Sequence, residues 1–505
     1  MLLIHPPQVR NCEPPVALTR LAGALKAAGE DVTILDGALE AFLWLCDQDA
    51  GNPDDPQAKR VRRKKSRILD LSLGTRSMDA YKKQISDIKL LAGTSAPVMA
   101  SGVQISPADY QDPGLSPLKS QDLIYSWHNP EKNLFYPWFS KRLSSLMKDG
   151  KHSHAGISIN YLSQALTAIA MCGYLKKEYP SLKIQLGGGL INSWIKGPSR
   201  TDFLNMMAHE IHAGEGEEAI VRFCGRVYRG PGIPDFKDLY EPAATHAYLS
   251  PGRILPFSAS TGCSWKRCTF CSEKWEDNPY CEIPALETCH ELAALSEQYQ
   301  PDLIHLCDSE ISRQLLQKLM QQPPGPAWYG FSRFIPEMTG SAYCRKLAAS
   351  GCTMLCMGLE SGDQAVLDSL KKGIRLEQVS HILENLKEAG IRTFIYIMFG
   401  TPAENREEAY RTRDFVLAQK ENIDYLNISI FNMPAGSGEA AHLQTHSFYE
   451  GDLSLYTNFK HPGGWDRGKV RTFLNREIRK VPELKEILKK TPPVFTTNHA
   501  PFLPL

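Results

Sequence analysis

Short apolar runs alternate with amphipathic stretches along most of the chain. Leu2-Leu-Ile-His-Pro-Pro7 is an apolar run stopped by prolines. Leu18, Leu21, Ala22 and Leu25 then share one helical face, Gly29 stands where a C-terminal cap belongs, and Val32-Thr-Ile-Leu-Asp36 follows as a second buried strand. Strand, helix, strand opens a parallel α/β sheet, whose ligands lie beyond the C-terminal strand ends, where Pro7 and Asp36 stand. Residues 47–150 break the pattern with polar, turn-rich sequence and are read as an irregular insertion without assigned function. The sheet resumes at Ala155–Asn160 and passes through a helix to about Tyr179. The strand Lys183–Leu186 then opens into Gly187-Gly-Gly189, and a last short strand, Ile211–Ala213, precedes Gly214-Glu-Gly-Glu217.

From about residue 255 a second series begins, with strands expected at Phe257–Ser260, Leu303–Leu306, Trp328–Ser332, Met354–Gly358, Thr393–Met398 and Tyr425–Phe431. Helical patterns separate most of them, the clearest being Val379, Ile382, Leu383 and Leu386 before Gly390. Parallel strands joined by helices require right-handed crossovers. The fold class is therefore α/β, with a doubly wound, Rossmann-like domain over residues 1–235, a partial (β/α)6 TIM-like barrel over 250–438, and a small C-terminal extension over 439–505.

At ~150 residues per domain, 505 residues fit two to four domains. The 57 basic and 56 acidic side chains leave a net charge of +1, which excludes a chain-wide basic field for nucleic acid. The run Lys59-Arg-Val-Arg-Arg-Lys-Lys-Ser-Arg67 is read as a solvated helix face or loop. Thirteen cysteines, an odd number, and a start without a charged n-region and apolar h-region point to a reducing, cytoplasmic setting. No stretch reaches 18 consecutive apolar residues; the most apolar window, Ile157–Leu175, carries Asn160, Ser163 and Gln164, so no membrane partner is expected.

The sharpest chemical signal is Gly262-Cys263-Ser-Trp-Lys-Arg-Cys268-Thr-Phe-Cys271, a C-x4-C-x2-C loop immediately after the first strand of the second series. Three thiolates from one loop can hold three irons of a [4Fe–4S] cluster and leave the fourth open to a ligand. The competing reading is a zinc site completed by Cys281, although zinc ribbons pair two C-x2-C units and only one is present. Cys307, Cys352 and Cys356 lie in apolar runs and read as core residues.

The three-cysteine loop, with Phe270 before its last cysteine, resembles that of the radical S-adenosylmethionine (radical SAM) enzymes. Met357-Gly-Leu-Glu-Ser-Gly362, Val366-Leu-Asp-Ser-Leu-Lys-Lys-Gly373, Ala389-Gly-Ile391 and Phe399-Gly-Thr-Pro402 stand in the order seen in the branch with an N-terminal cobalamin-binding-like domain. The chain departs from the family's usual C-x3-C-x2-C by one residue in the first gap. The resemblance implies that S-adenosylmethionine chelates the open iron, that reduction cleaves it, and that a 5′-deoxyadenosyl radical abstracts hydrogen from a substrate. It also implies the site: Cys263, Cys268 and Cys271 as cluster ligands, Phe270 near the adenine, Asp308 and Glu310 toward the methionine amino group, and Glu360 toward the ribose. Ser332 and Arg333 are further candidates for the same mouth. Carboxylates at C-terminal strand ends independently suit a ligand mouth, the alternative for Glu310 and Glu360 being helix N-capping.

Residues 1–235 resemble that branch's cobalamin-binding domains more loosely. The family's Ser-x-Leu followed by Gly-Gly is met by Ser158-Ile-Asn160 and, 26 residues on, Gly187-Gly188, with Asn in place of Leu. Ser158, Gly187 and Gly188 are the implied cobalamin contacts. The Asp-x-His-x-x-Gly motif that supplies a lower axial histidine is absent, so any cobalamin is expected without a protein histidine on its lower face, His5 being the one residue placed to reach it. A degenerate domain that keeps the fold without the ligand fits the same residues.

The expected function is a cobalamin-dependent radical SAM methyltransferase acting on an unactivated carbon or phosphorus centre. The runners-up are a cobalamin-independent radical SAM enzyme performing oxidation, coupling or rearrangement, and a zinc-stabilised RNA-binding protein. The expected partners are a small-molecule or peptide substrate of undefined identity and an electron donor such as flavodoxin or ferredoxin.

Overall fold

Both apolar strand series form parallel sheets. A computed structural model describes residues 1–148, 150–240 and 248–504; position 149 of the insertion and the last residue of the C-terminal extension lie outside the described residues. The chain divides into two compact units, Met1–Pro251 with Tyr449–Leu455, and Gly252–Phe448 with Tyr456–Leu505.

In the first unit, β1 (Leu2–His5), β2 (Thr33–Asp36), β3 (His154–Ser158), β4 (Lys183–Gly187) and β5 (Glu210–Ile211) make one parallel sheet in the order β2-β1-β3-β4-β5. All four residues of β1 are buried, as expected of a strand covered on both faces. The order reverses between β1 and β3, so the crevice beyond His5 and Ser158 is the position where such sheets take ligands. The last strand is shorter and earlier than the expected Ile211–Ala213.

The 47–150 segment is not irregular. It contains helices Pro56–Arg63, Met78–Gly93, Ser120–His128 and Tyr136–Met147, and a hairpin of Gln104–Ser106 with Asp109–Gln111. Asp55 and Ser77 cap the first two helices, and Tyr81, Ile85, Ile88, Leu91 and Ala92 bury one face of the second. Their solvent faces are so polar that the helical period is diluted in the sequence. The basic run is largely engaged within this segment: Arg60 forks onto Asp87, Lys65 pairs with Asp47, and Arg62 donates to the carbonyls of Asp49 and Leu91.

In the second unit, β6 (Ile254–Phe257), β7 (Leu303–Leu306), β8 (Ala327–Ser332), β9 (Cys352–Glu360), β10 (Arg392–Phe399) and β11 (Tyr425–Ile430) pair in sequence order. β6 and β11 do not pair, so the barrel is open. β6 lies three residues before its expected start, because Ser258–Ser260 leave the sheet. Asp308 takes the Ala259 N–H, and Ser260–Thr261 pair with Cys281–Glu282. Ile254, Leu303, Tyr329, Met354, Cys356, Phe394 and Tyr425 pack into a core that also includes Ala500. Arg392 Nη1 donates to the carbonyls of Ala500, Pro501 and Leu503, and Tyr425 Oη to that of Ala500. The chain's tail thus closes the N-terminal end of the barrel.

A small antiparallel sheet follows, β12 (Met433–Pro434), β13 (Thr445–Ser447) and β14 (Tyr456–Phe459), in the order β12-β14-β13. Among the described residues no helix is long and apolar enough to cross a membrane.

Candidate functional site

The cysteine loop leaves β6 through Gly262, whose φ is +71° and whose added Cβ would lie 2.4 Å from the Pro279 carbonyl oxygen. Only glycine meets both conditions. Cys268 is buried, and Cys263 and Cys271 are half-buried. Burial pushes the Cys271 thiol up to about 11, with Cys268 and Cys263 adding to the shift. Burial also raises Cys268, against the opposing pull of Lys372 and Arg333. These cations favour the thiolate that an iron cluster requires.

Trp265 anchors the lengthened gap. Its indole N–H donates to the Lys371 carbonyl at 2.9 Å, and its ring fills the space in which a Cβ on Gly373 would stand, 2.2 Å from the ring. The Arg333 guanidinium lies 4.4 Å from the ring centre and that of Arg267 4.9 Å. Thr269 N–H donates to Leu370 O, so both halves of the loop rest on the Lys371-Lys-Gly373 turn. Trp265, Lys372 and Gly373 were absent from the expected site. An aromatic inside the cysteine gap was the available signal.

The strand-end candidates divide by what they touch. Asp308 is 2 % exposed; one oxygen takes the Ser260 hydroxyl and the other the Ala259 N–H, so it braces the start of the loop. Glu310 Oε2 accepts from Ser264 Oγ at 3.2 Å and lies 3.6 Å from Cys263 Sγ. It is not a helix cap, because Ser312 caps the next helix. Glu360 follows a register shift in β9, has φ +65°, and pairs with Lys372 Nζ at 2.9 Å; Asp363 is the cap there. Lys372 Nζ is also 5.8 Å from the ring centre of Phe270. Ser332 Oγ donates to the Arg333 carbonyl, and Arg333 donates to that of Lys372. The fold therefore links Glu310 to Cys263, and Glu360 through Lys372 to Phe270.

In the first unit Ser158 faces Gly187 in register. Asn160 Nδ2 donates to Ser158 Oγ at 3.1 Å, and Asn160 Oδ1 accepts from Gly189 N at 2.9 Å. Gly188 has φ +104°, and an added Cβ would stand 2.5 Å from the Ile159 carbonyl oxygen. Ser158 and Gly188 thus have structural reasons of their own, while Gly187 meets only one ordinary contact at 3.7 Å. His5 pairs in register with Asp36. Burial lowers the His5 imidazole to about 4 and raises the Asp36 carboxyl to about 6, the Tyr248 hydroxyl at 2.8 Å opposing the latter. His5 Nδ1, Gln8 Oε1 and both polar atoms of the Asn11 side chain are buried with no hydrogen-bond partner among the described residues. Four such atoms in seven residues, from the last residue of β1 onward, were not visible in the sequence.

An open parallel barrel with a three-thiol loop after its first strand and carboxylates at its strand ends forms a ligand mouth with a donor set suited to an iron–sulfur cluster. Residues 257–416 match the Radical SAM superfamily, so the second unit carries a radical SAM domain; that family uses a [4Fe–4S] cluster and S-adenosylmethionine. An uncharacterised methyltransferase of Pyrococcus horikoshii is 25 % identical over 186 residues, which are 35 % of this chain and 39 % of that protein's length. The radical SAM methyltransferase TsrM of Kitasatospora setae, solved with cobalamin and a [4Fe–4S] cluster, superposes over 96 % of this chain and 90 % of its own at TM-score 0.54 and 14 % identity. The same enzyme with tryptophan substrate and an S-adenosylmethionine analogue gives TM-score 0.52 over 96 % and 88 %. At such identities the likeness is one of fold.

Proposed function

We propose that this protein is a cobalamin-dependent radical SAM methyltransferase acting on an unactivated carbon or phosphorus centre. The observation that carries the cobalamin part is the set of unpartnered buried groups on His5, Gln8 and Asn11. Each leaves a desolvated polar atom that costs ~1–3 kcal/mol unless a ligand completes it, and cobalamin's amide-rich periphery offers donors and acceptors. Residues 1–235 are its binding domain in this reading, 250–438 the radical domain and 439–505 the extension.

Cys263, Cys268 and Cys271 would hold the cluster, which supplies the electron that cleaves S-adenosylmethionine. Glu310, beside Cys263, would take the methionine amino group, and Glu360, held by Lys372, the ribose. Phe270 would cover the adenine, with Ser332 a more distant wall. Asp308 would act one step back, by holding Ala259 and Ser260 so that the loop enters the mouth correctly. Ser158, Gly187 and Gly188 would border the cobalamin, which supplies a methyl-carrying cobalt. The electron donor in this reading is a flavodoxin- or ferredoxin-type protein, and the setting is the reducing cytoplasm.

One observation favours the cobalamin-independent reading: Ser158, Asn160 and Gly189 satisfy one another, as they would in a domain that retains only the fold. Anaerobic reconstitution with iron, sulfide and hydroxocobalamin, followed by gel filtration, decides between them. Retained corrinoid bands beside the iron–sulfur absorption support the methyltransferase. An iron–sulfur spectrum without corrinoid supports the cobalamin-independent enzyme.

A further inference from the structure

Beyond β11 the small antiparallel sheet and the turn into helix Arg467–Phe473 enclose an open cleft of about 700 Å3. That volume is in the range of small-molecule sites, ~300–1,000 Å3. Its lining contains three cationic side chains, Lys460, Arg467 and Lys469, and one carboxylate, Asp466. Asp466 and Lys469 partly compensate one another: Asp466 Oδ1 caps the helix at Lys469 N, its Oδ2 lies 3.9 Å from Lys469 Nζ, and Lys469 Nζ also donates to the Gly464 carbonyl. The remaining polar lining is amide, hydroxyl and imidazole, including Gln444, Asn458 and His446.

Arg467 is the organised member of this set. Its Nη1 donates to Phe431 O at 3.1 Å and to Asn432 Oδ1 at 2.8 Å, and its guanidinium lies 4.8 Å from the centre of the Phe448 ring. These contacts fix the direction of the guanidinium. A guanidinium held this way loses little side-chain entropy on binding a planar carboxylate or a phosphate. Arg467 also lines a narrower space of about 20 Å3, room for roughly one water, whose walls include Gly400, Ile430 and Phe431 at the C-terminal ends of β10 and β11. The same residue therefore stands in the cleft and at the edge of the barrel mouth.

We propose that this cleft binds an anionic group of the substrate, a carboxylate or a phosphate, with Arg467 as its principal contact and Lys460 and Lys469 at its rim. That the bound molecule is the substrate rests on the radical SAM methyltransferase reading; the anion site itself needs no cofactor. It places the recognised charge beside the strand ends, so that an uncharged part of the same molecule faces the barrel mouth.

The full-length protein, with and without reconstitution, is titrated calorimetrically with inorganic phosphate and, separately, with succinate at low ionic strength. Saturable binding of either probe that weakens with added salt is expected, and the tighter probe identifies the anion class. Arg467→Gln should weaken it by about tenfold or more and Lys460→Gln by a few-fold, with circular dichroism unchanged. Because Arg467 also ties Phe431 and Asn432, the double variant Lys460→Gln/Lys469→Gln serves where Arg467→Gln fails to fold, and there a weakened, less salt-dependent affinity is expected. Absence of binding for both probes, or wild-type affinity in these variants, overturns the proposal. Loss of corrinoid or cluster binding with intact anion binding counts against the methyltransferase reading alone.

Discussion

The indole N–H of Trp465 donates to Glu404 Oε2 across 3.0 Å, tying the turn before helix Arg467–Phe473 to the loop that follows β10. Glu404 is 2 % exposed, its Oε2 also takes the Gly400 N–H, and its Oε1 has no partner among the described residues. Burial dominates these two bonds and raises the carboxyl to about 7.

A raised carboxyl means that the folded state holds a proton that the unfolded state has released between pH ~4.5 and 7, so stability falls as pH rises through that window and then levels. At ~1.4 kcal/mol per pH unit the fall is ~3 kcal/mol. Glu404→Gln, which keeps an acceptor for Gly400 and Trp465, should flatten denaturant-derived stability between pH 5 and 7 and exceed the wild type above pH 7. An unchanged slope would show that Glu404 is ionised throughout.

Cys263→Ala, Cys268→Ala and Cys271→Ala are each expected to abolish stable cluster assembly, read as iron and sulfide per chain and as loss of visible absorption. Cys281→Ala should retain both, because Cys281 is exposed and belongs to the two-residue strand opposite Ser260–Thr261. Zinc at one per chain, lost in Cys281→Ala, would reverse the assignment.

The docking of Trp265 on the Lys371-Lys-Gly373 turn predicts an effect on the cluster from a residue that does not ligate it. Gly373→Ala introduces a Cβ 2.2 Å from the indole at φ +71°, where an L side chain alone costs ~1–2 kcal/mol. Trp265→Phe loses the bond to Lys371 O, ~0.5–1.5 kcal/mol. Iron should therefore be released faster to a chelator from Gly373→Ala than from Trp265→Phe, and from both faster than from the wild type.

Glu360→Gln should weaken S-adenosylmethionine binding by about 10- to 150-fold, the equivalent of ~1.5–3 kcal/mol for a hydrogen bond to a charged acceptor, with cluster content unchanged. Equilibrium titration of the reconstituted protein measures it. Lys372→Met should move affinity in the same direction, because it leaves the Glu360 carboxylate without its partner at 2.9 Å.

Asn11 offers a test in which stability and binding move oppositely. Both polar atoms of its 1 % exposed side chain lack partners among the described residues, so Asn11→Leu removes a desolvation cost and should raise the melting temperature of the cofactor-free protein. The same change should reduce hydroxocobalamin retention after reconstitution. In the wild type, electron paramagnetic resonance of the cob(II)alamin form should show no nitrogen splitting from a protein histidine. Splitting lost in His5→Ala would place His5 on the cobalt.

Local sequence carried the parts of this protein whose physics is local. Apolar runs of three to seven residues between helical patterns marked both parallel sheets, since a strand covered on both faces must be largely apolar. The three thiols were legible as candidate ligands because residues of one loop are neighbours in both sequence and space. The amphipathic helices of 47–150 escaped because their charged outer faces outweigh short buried stripes. Only tertiary structure decided that Trp465 meets Glu404 across 61 residues, that Arg392 holds the Ala500–Leu503 carbonyls at the barrel's base, and that four buried polar atoms from the last residue of β1 onward lie without partners. Such contacts join residues far apart in the chain. They leave no period or spacing to read, because their energies depend on burial and direction that exist only once the sheets have formed.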